Sequence, residues 1–138
     1  MPIFVVHEHH AKRLHFDLRI EMAGVLKSWA VPKGPSMNPA EKRLAVMVDD
    51  HELDYAGFEG AIPEGEYGAG EVFIWDKGKY ELKGGSVPDG KLEIVFHGLK
   101  LRGIFVLTRM SGKDKDWLLI KKSDEFADRD FRLKTVQT

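Results

Sequence analysis

One stretch of nine residues, from 14 to 22, alternates strictly between apolar and polar side chains. The apolar members are Leu14, Phe16, Leu18, Ile20 and Met22, and the polar members are His15, Asp17, Arg19 and Glu21. A period of two residues is typical of a β-strand, because successive side chains point to opposite faces. We therefore expect the apolar set to seal a core. His15, Asp17 and Arg19 then stand about 7 Å apart in a row on the other face.

This polar row has two interpretations. An ordinary solvated strand edge would pair Asp17 with Arg19 or Arg13 in exposed ion pairs. Alternatively, His9 and His10 lie just upstream, close enough in sequence to fold over the row, and neutral imidazoles beside a carboxylate form a divalent-metal site. The second interpretation is favoured, because the opposite face is filled with large apolar side chains too completely for a loose edge.

Composition limits the chemistry. The chain has 138 residues, which predicts a single domain over residues 1–138 with a real core. There is no cysteine, so any metal must be held by His, Asp or Glu, ligands that suit Mn, Fe, Ni or Zn. A formal net charge of −1 argues against broad coating of nucleic acid, so an anionic substrate must meet a local cluster of cations. No signal or membrane-spanning run is visible, and we expect a soluble, intracellular protein.

The rest of the chain reads as short strands joined by turns. The predicted strands cover residues 1–6, 14–22, 25–31, 43–49, 71–75, 79–82, 91–97, 101–110 and 116–121, with a hairpin turn at 76–78 and a short C-terminal helix over 123–129. Such a series predicts an all-β fold, a small antiparallel barrel of about eight strands. Its inner rows are expected to include Leu92, Ile94 and Phe96 in one strand, Ile104 and Val106 in another, and Leu44, Val46 and Val48 in the strand at 43–49.

Further polar residues are candidates for the same site. Lys33 lies between two prolines that restrain the backbone, so its position is fixed. Arg43, Asp49 and His51 share one row of a strand or its end, and Asp54 and Tyr55 follow closely. The glycine-rich stretch at 57–70 lacks the spacing of a dinucleotide or Walker loop and leads into a strand, so we read it as a tight loop near the site.

Four segments together resemble a known family. HEHHAKRLHFDLR (7–19), LKSWAVPKGP (26–35), DHELDY (50–55) and IPEGEYGAG (62–70) are similar to the 3′-phosphoesterase domain of bacterial DNA ligase D. The resemblance covers nearly the whole chain. It implies a small β barrel and a Mn²⁺-dependent enzyme, with Co²⁺ as another usable metal. Such an enzyme heals 3′ ends of DNA by removing a terminal ribonucleoside as a phosphodiesterase and then the 3′-phosphate as a phosphomonoesterase.

The resemblance also implies roles for individual residues. The metal ligands would be His9, His15 and Asp17, and the positions used around the phosphate match Arg19, Lys33, Arg43, His51 and Tyr55. In two departures, His7 stands where a glutamine is familiar and Asp49 where a glutamate is. Both residues are expected beside the substrate, where they would affect the balance between diester and monoester cleavage.

Polymerase and ligase modules are not seen in this chain, so we expect the domain to stand alone. The implied process is DNA repair by non-homologous end joining in a prokaryotic cytoplasm, at the nucleoid and away from membranes. The implied partners are DNA 3′ ends on a primer-template, together with a separate ligase, polymerase or Ku-like end-joining protein.

These residue types suit the hydrolysis of a phosphate ester. Metal and arginine charges neutralise the phosphate oxygens, a water molecule attacks, and His51 protonates the leaving group or binds the phosphate, oriented by Tyr55 or Asp54. Two alternatives remain open. A non-haem Fe(II) oxygenase would complete His15 and Asp17 with His97 and bind a keto acid through Arg102 or Arg109. A non-catalytic barrel would bind nucleic acid through arginine and aromatic side chains.

Overall fold

The computed structural model describes residues 1–136, which form nine strands. Their bounds are β1 (Ile3–His10), β2 (Leu14–Met22), β3 (Val25–Val31), β4 (Arg43–His51), β5 (Gly60–Ile62), β6 (Gly70–Ser86), β7 (Lys91–Gly98), β8 (Arg102–Arg109) and β9 (Asp116–Lys121). Neighbouring strands are antiparallel in the order β1-β2-β3-β4-β9-β8-β7-β6, and β1 also pairs with β6. That last pairing closes an eight-stranded barrel, as predicted, while β5 adds to the edge of β6.

The alternation in β2 separates the barrel interior from the outer surface. Phe16, Leu18 and Ile20 are fully buried in the core, as the period of two predicts. Asp17 and Arg19, on the opposite face, are nevertheless only 5% and 4% exposed. They are covered from outside by the chain between β4 and β6, so the polar row is not a solvated edge.

The expected hairpin turn at residues 76–78 is wrong, because β6 runs unbroken from Gly70 to Ser86. Asp76 is buried and accepts hydrogen bonds from the backbone N–H groups of Leu99, Lys100 and Leu101, so it fixes the loop between β7 and β8. Gly78 is required by close packing, since a Cβ there would lie 2.3 Å from the carbonyl oxygen of His97. Asp and Gly are common in turns, but here Asp76 binds a neighbouring loop and Gly78 allows two strands to pack closely.

Two of the predicted inner rows face the wrong way. In β4, Ala45 is buried in the core and Met47 packs against it, whereas Leu44 is exposed. The pairing with β9 decides this face, because Ala45 lies opposite the fully buried Trp117. In β8, Phe105 and Leu107 are fully buried, whereas Ile104 and Val106 are only partly so. The predicted row of Leu92, Ile94 and Phe96 in β7 is confirmed.

The predicted C-terminal helix at 123–129 is absent from the described chain, whose one helical element is a 3₁₀ turn at Leu53–Gly57. The Asp124 carboxylate instead accepts from the backbone N–H groups of Ile104 and Phe126 and from the buried Lys121 ammonium. These bonds tie the segment to β8, and they compete with helical hydrogen bonding. Residues 1–136 include no helix long and apolar enough to span a membrane.

Candidate active site

The site lies on the outer face of the barrel, where β1 and β2 pair. The register places His9 opposite His15 and His7 opposite Asp17, so four side chains project from neighbouring positions on one face. His9 is therefore part of β1, which continues to His10, beyond the predicted strand end at residue 6. His10 points to the other face, where its Nε2 lies 2.6 Å from the buried carboxylate of Glu8.

Two histidines and one carboxylate form a compact cluster. One ligand atom each from His9, His15 and Asp17 lies within 4.8 Å of the others. The Nδ1 of His9 and the Nε2 of His15 are 3.7 Å and 3.3 Å from the same Oδ2 atom of Asp17.

Backbone carbonyls fix the orientation of both histidines. The Nε2–H of His9 donates to the carbonyl of Gly68 at 2.8 Å, and the Nδ1–H of His15 donates to the carbonyl of Arg13 at 3.2 Å. The other nitrogen of each ring, Nδ1 of His9 and Nε2 of His15, is thereby turned to Asp17. Such outer hydrogen bonds are the usual support of metal-binding histidines. This donor set, with no thiolate, fits a divalent transition metal.

Arg19 is the hub of the remaining contacts. Its Nε donates to Nδ1 of His7 at 3.1 Å, and its Nη1 donates to Oγ of Ser28 at 2.9 Å. Its Nη2 donates to Oδ2 of Asp17 at 3.3 Å, and its guanidinium lies 5.0 Å from the ring centroid of Tyr55. The planar group is thus held in one orientation, with one N–H of Nη2 still available.

The surroundings of Asp17 and His15 shift the pKa values of both side chains. Burial alone would raise the pKa of Asp17, but hydrogen bonds from His15 and His9 and the charge of Arg19 together hold it well below its usual range. The hydrogen bond with Asp17 raises the pKa of His15, with burial opposing that shift. Asp17 is therefore an anion at neutral pH, as a metal ligand must be.

His51 contacts Arg19 and Tyr55. Its Nδ1 lies 3.1 Å from Nη1 of Arg19 and 3.3 Å from the carbonyl of Asp49. Because arginine only donates, the closer contact favours a neutral His51 whose Nδ1 accepts and whose Nε2 carries the proton. Burial and then the charge of Arg19 lower the pKa of His51, in agreement with that state. The His51 ring centroid is 4.7 Å from that of Tyr55, whereas the side chain of Asp54 is exposed.

These residues line a cavity of about 310 Å³. Its walls are formed by His9, Ala11, His15, Asp17, Arg19, Ala30, Val48, His51, Tyr55, Ile62, Tyr67 and Gly68. Within residues 1–136, Lys33, Arg43 and Asp49 do not contribute to these walls. The Lys33 side chain is exposed, Nη2 of Arg43 lies 3.5 Å from Oε1 of Glu41, and the backbone carbonyl of Asp49 lies 3.3 Å from Nδ1 of His51. Their roles around the phosphate stay predictions.

Sequence reasoning missed two supporting residues. Ser28 is fully buried behind Arg19, and its signal was a lone hydroxyl within an otherwise packed strand. Gly68 acts through its carbonyl, which no residue pattern reveals. In contrast, His97 belongs to β7 and pairs with Glu81 at 2.7 Å, so the triad of the oxygenase alternative is not assembled in the described chain.

Comparison with known proteins agrees with this geometry. A family model described as the DNA Ligase D 3′-phosphoesterase domain matches residues 7–109, which is most of the chain and includes every residue that lines the cavity. The chain belongs to this family. Within the 3′-phosphoesterase family, it is 49% identical over 126 residues to the multifunctional non-homologous end joining protein LigD of Pseudomonas aeruginosa. It is 45% identical over 131 residues to the protein of the same name from Mycolicibacterium smegmatis.

These alignments cover 88% of this chain in both cases, but only 15% and 17% of the relatives' own length. A third relative, the LigD of Mycobacterium tuberculosis, is 48% identical over 111 residues. The chain therefore corresponds to one segment of multifunctional proteins.

Proposed function

We propose that this protein is a divalent-metal-dependent phosphoesterase that trims DNA 3′ ends during non-homologous end joining. It removes a terminal ribonucleoside as a phosphodiesterase and then clears the remaining 3′-phosphate. The observation that carries the proposal is the convergence of the His9, His15 and Asp17 cluster with Arg19 and His51 in one small cavity.

His9, His15 and Asp17 would hold the metal ion. A divalent cation bound there supplies positive charge to the phosphate oxygens and lowers the pKa of a water molecule. We propose Mn²⁺, with Co²⁺ as a substitute, because imidazole nitrogens suit these ions better than they suit Mg²⁺.

Arg19 provides the second positive charge. Its contacts with His7, Ser28 and Asp17 fix the guanidinium plane before substrate arrives. The remaining N–H of Nη2 can donate to a phosphate oxygen, and substrate can also compete for the Nη1 bond to His51. A cation held in advance of the reaction stabilises developing negative charge with little reorganisation.

His51 then serves first as a phosphate ligand. In its neutral form, the Nε2–H group is a hydrogen-bond donor. A bound phosphate anion would raise the pKa of the ring and favour the imidazolium, which can protonate a leaving oxygen. Burial raises the pKa of Tyr55, so its phenol is a second neutral donor beside the ring.

Water is the proposed nucleophile. None of the residues that line the cavity in the described chain is serine, threonine or cysteine, and Ser28 is occupied by Arg19 and the carbonyl of Leu26. A direct hydrolysis therefore needs no covalent intermediate on a hydroxyl or thiol.

Substrate choice follows from the size of the site. A cavity of about 310 Å³ is at the small end of ligand sites, which span about 300–1,000 Å³. It suits one phosphate and its adjoining sugar, so we propose action at an end without degradation along the strand. A 2′-hydroxyl on that sugar would be the feature that separates a ribonucleotide from a deoxynucleotide. We propose that four further residues adjust substrate binding: His7, Lys33, Arg43 and Asp49. Because the proposed substrate is DNA, we also propose that the protein acts in the cytoplasm.

The test uses two labelled primer-templates, one ending in a single ribonucleotide and one all-deoxy. Each is incubated with Mn²⁺, with and without chelator, and resolved on a sequencing gel. We expect chelator-sensitive removal of the ribonucleoside, followed by slower loss of the 3′-phosphate, with little action on the all-deoxy end. Equal cleavage of both primers would refute the 2′-hydroxyl preference, and laddering would refute end trimming. A gel shift without hydrolysis would indicate a binding barrel instead.

A further inference from the structure

Tyr67 is an aromatic side chain left in solvent at the mouth of the cavity. It is 90% exposed. Of the large apolar side chains that are exposed in residues 1–136, Tyr67 is the one with an aromatic ring. Exposed single apolar residues are common on protein surfaces. Tyr67 differs because it also lines the cavity that contains His9, Asp17 and Arg19.

The loop that carries Tyr67 is held against the site. The next residue, Gly68, accepts the hydrogen bond from Nε2–H of His9, and two turns close around Glu66, whose N–H donates to Pro63 and whose carbonyl accepts from Ala69. At the end of the loop, a Cβ at Gly70 would lie 2.2 Å from the carbonyl oxygen of His10. The backbone beside Tyr67 is thus anchored to β1, although its ring is exposed.

Tyr67 shares the cavity with Arg19 and Tyr55. The Tyr55 ring already packs on Phe58, with ring planes 10° apart. The Tyr67 ring has no such partner among the ring contacts of the described chain.

The charge around Tyr67 selects the part of a substrate that can meet it. Glu64 and Glu66 are both exposed and precede Tyr67 in the same loop. Two carboxylates repel a phosphate, so the nucleic-acid backbone is disfavoured here. A nucleobase carries no charge, and its π-face can stack on an aromatic ring regardless of base identity.

We infer that Tyr67 is a nucleobase-stacking residue that binds the base of the 3′-terminal nucleoside while its phosphate lies at Arg19 and the His9–His15–Asp17 cluster. This inference rests on the proposed function and extends it to a base subsite. Removing a base-stacking aromatic side chain typically weakens binding by roughly 5- to 150-fold.

The kinetic test compares wild type and variants on two substrates that differ in the terminal base. Wild type, Tyr67→Ala and Tyr67→Phe are assayed with Mn²⁺ on primers whose terminal ribose either carries adenine or lacks a base. We expect Tyr67→Ala to lower kcat/KM on the adenine primer by roughly 5- to 150-fold, mainly by raising KM. On the abasic primer, Tyr67→Ala and wild type should have the same kcat/KM. Tyr67→Phe should stay near wild type. Leu99→Ala, which truncates a side chain that is 88% exposed outside the cavity, is the matched control and should be unchanged.

A binding readout separates this inference from the proposed activity. A primer ending in 2-aminopurine, mixed with metal-free protein, should lose fluorescence on stacking with wild type and Tyr67→Phe but not with Tyr67→Ala. Equal quenching by all three proteins, or an equal loss of kcat/KM by Tyr67→Ala on both primers, would overturn the base subsite. If wild type cleaves neither primer, the proposed function fails, and the quenching result alone decides the role of Tyr67.

Discussion

His7 gives a prediction about how the stability of the protein depends on pH. The side chain is fully buried, its Nδ1 accepts from Nε of Arg19 at 3.1 Å, and its ring meets Tyr55 edge-on with centroids 5.1 Å apart. Burial and then the charge of Arg19 lower the pKa of His7 to about 4. The imidazole is therefore neutral in the folded protein at any pH above about 5.

The direction of the effect follows from proton binding. In the unfolded chain His7 titrates near its ordinary pKa of 6.5, so between pH 6.5 and pH 4 the unfolded state binds more protons than the folded state. The free energy of unfolding must then fall as the pH falls through this window. The difference between 6.5 and about 4 corresponds to about 3 kcal/mol when complete, and to about 2 kcal/mol between pH 7 and pH 5.

The perturbation that isolates this contribution is His7→Gln. An amide oxygen can still accept the hydrogen bond from Arg19, but an amide does not titrate. His7→Asn is a second variant, because its shorter side chain places the oxygen nearer the position of Nδ1. Thermal and urea unfolding are measured at pH 7 and pH 5 with a chelator present. Every other titrating group is common to the proteins, so its contribution cancels in the comparison.

We expect wild type to lose about 2 kcal/mol more stability than His7→Gln between pH 7 and pH 5. For a chain of this size, that is a difference of about 6 °C in Tm. An identical pH dependence in wild type and both variants would refute the reasoning. So would a His7 ring that titrates near pH 6.5 by NMR.

Three further predictions concern the site. Alanine in place of His9, His15 or Asp17 should abolish Mn²⁺-dependent hydrolysis and weaken Mn²⁺ binding by calorimetry while circular dichroism stays that of a β barrel; unchanged binding would place the metal elsewhere. Arg19→Lys should lower kcat on the order of 100-fold, because a point charge cannot make the fork of contacts that Arg19 makes. Arg19→Gln should raise the pKa of His51, measured by NMR titration, because it removes a nearby positive charge that lowers it.

Much of the barrel was predictable because its interior rows obey a simple alternation. The β2 row of Phe16, Leu18 and Ile20 could be identified because the residues between are all polar. In β8 the alternation fails as a guide, since residues 104–107 are all apolar and both faces are at least half-covered. Only the register with β7 and β9 decides that Phe105 points inward. A sequence pattern records which residues tolerate burial, but not which face is the interior.

The site was predictable in its residue types and less so in its supports. His15 and Asp17 could be paired from their spacing alone, because residues two apart share a strand face. His9 joins them through a pairing between two strands, where it stands directly opposite His15. The carbonyls of Gly68 and Arg13 that orient the two rings come from backbone geometry. Residue types do not indicate such hydrogen bonds to backbone carbonyls, so these contacts could be found only in the structure.

The barrel also explains how a charged cluster can be both buried and ordered. The alternation that sends Leu18 inward sends Asp17 and Arg19 outward, and there the chain after β4 covers them. Shifting β2 by one residue would exchange the two faces and place both charges in the core, where an unpaired ion costs several kcal/mol. The apolar row therefore enforces the register that assembles the site. For the same reason, a substitution that weakens Leu18 packing should damage metal binding without touching any ligand.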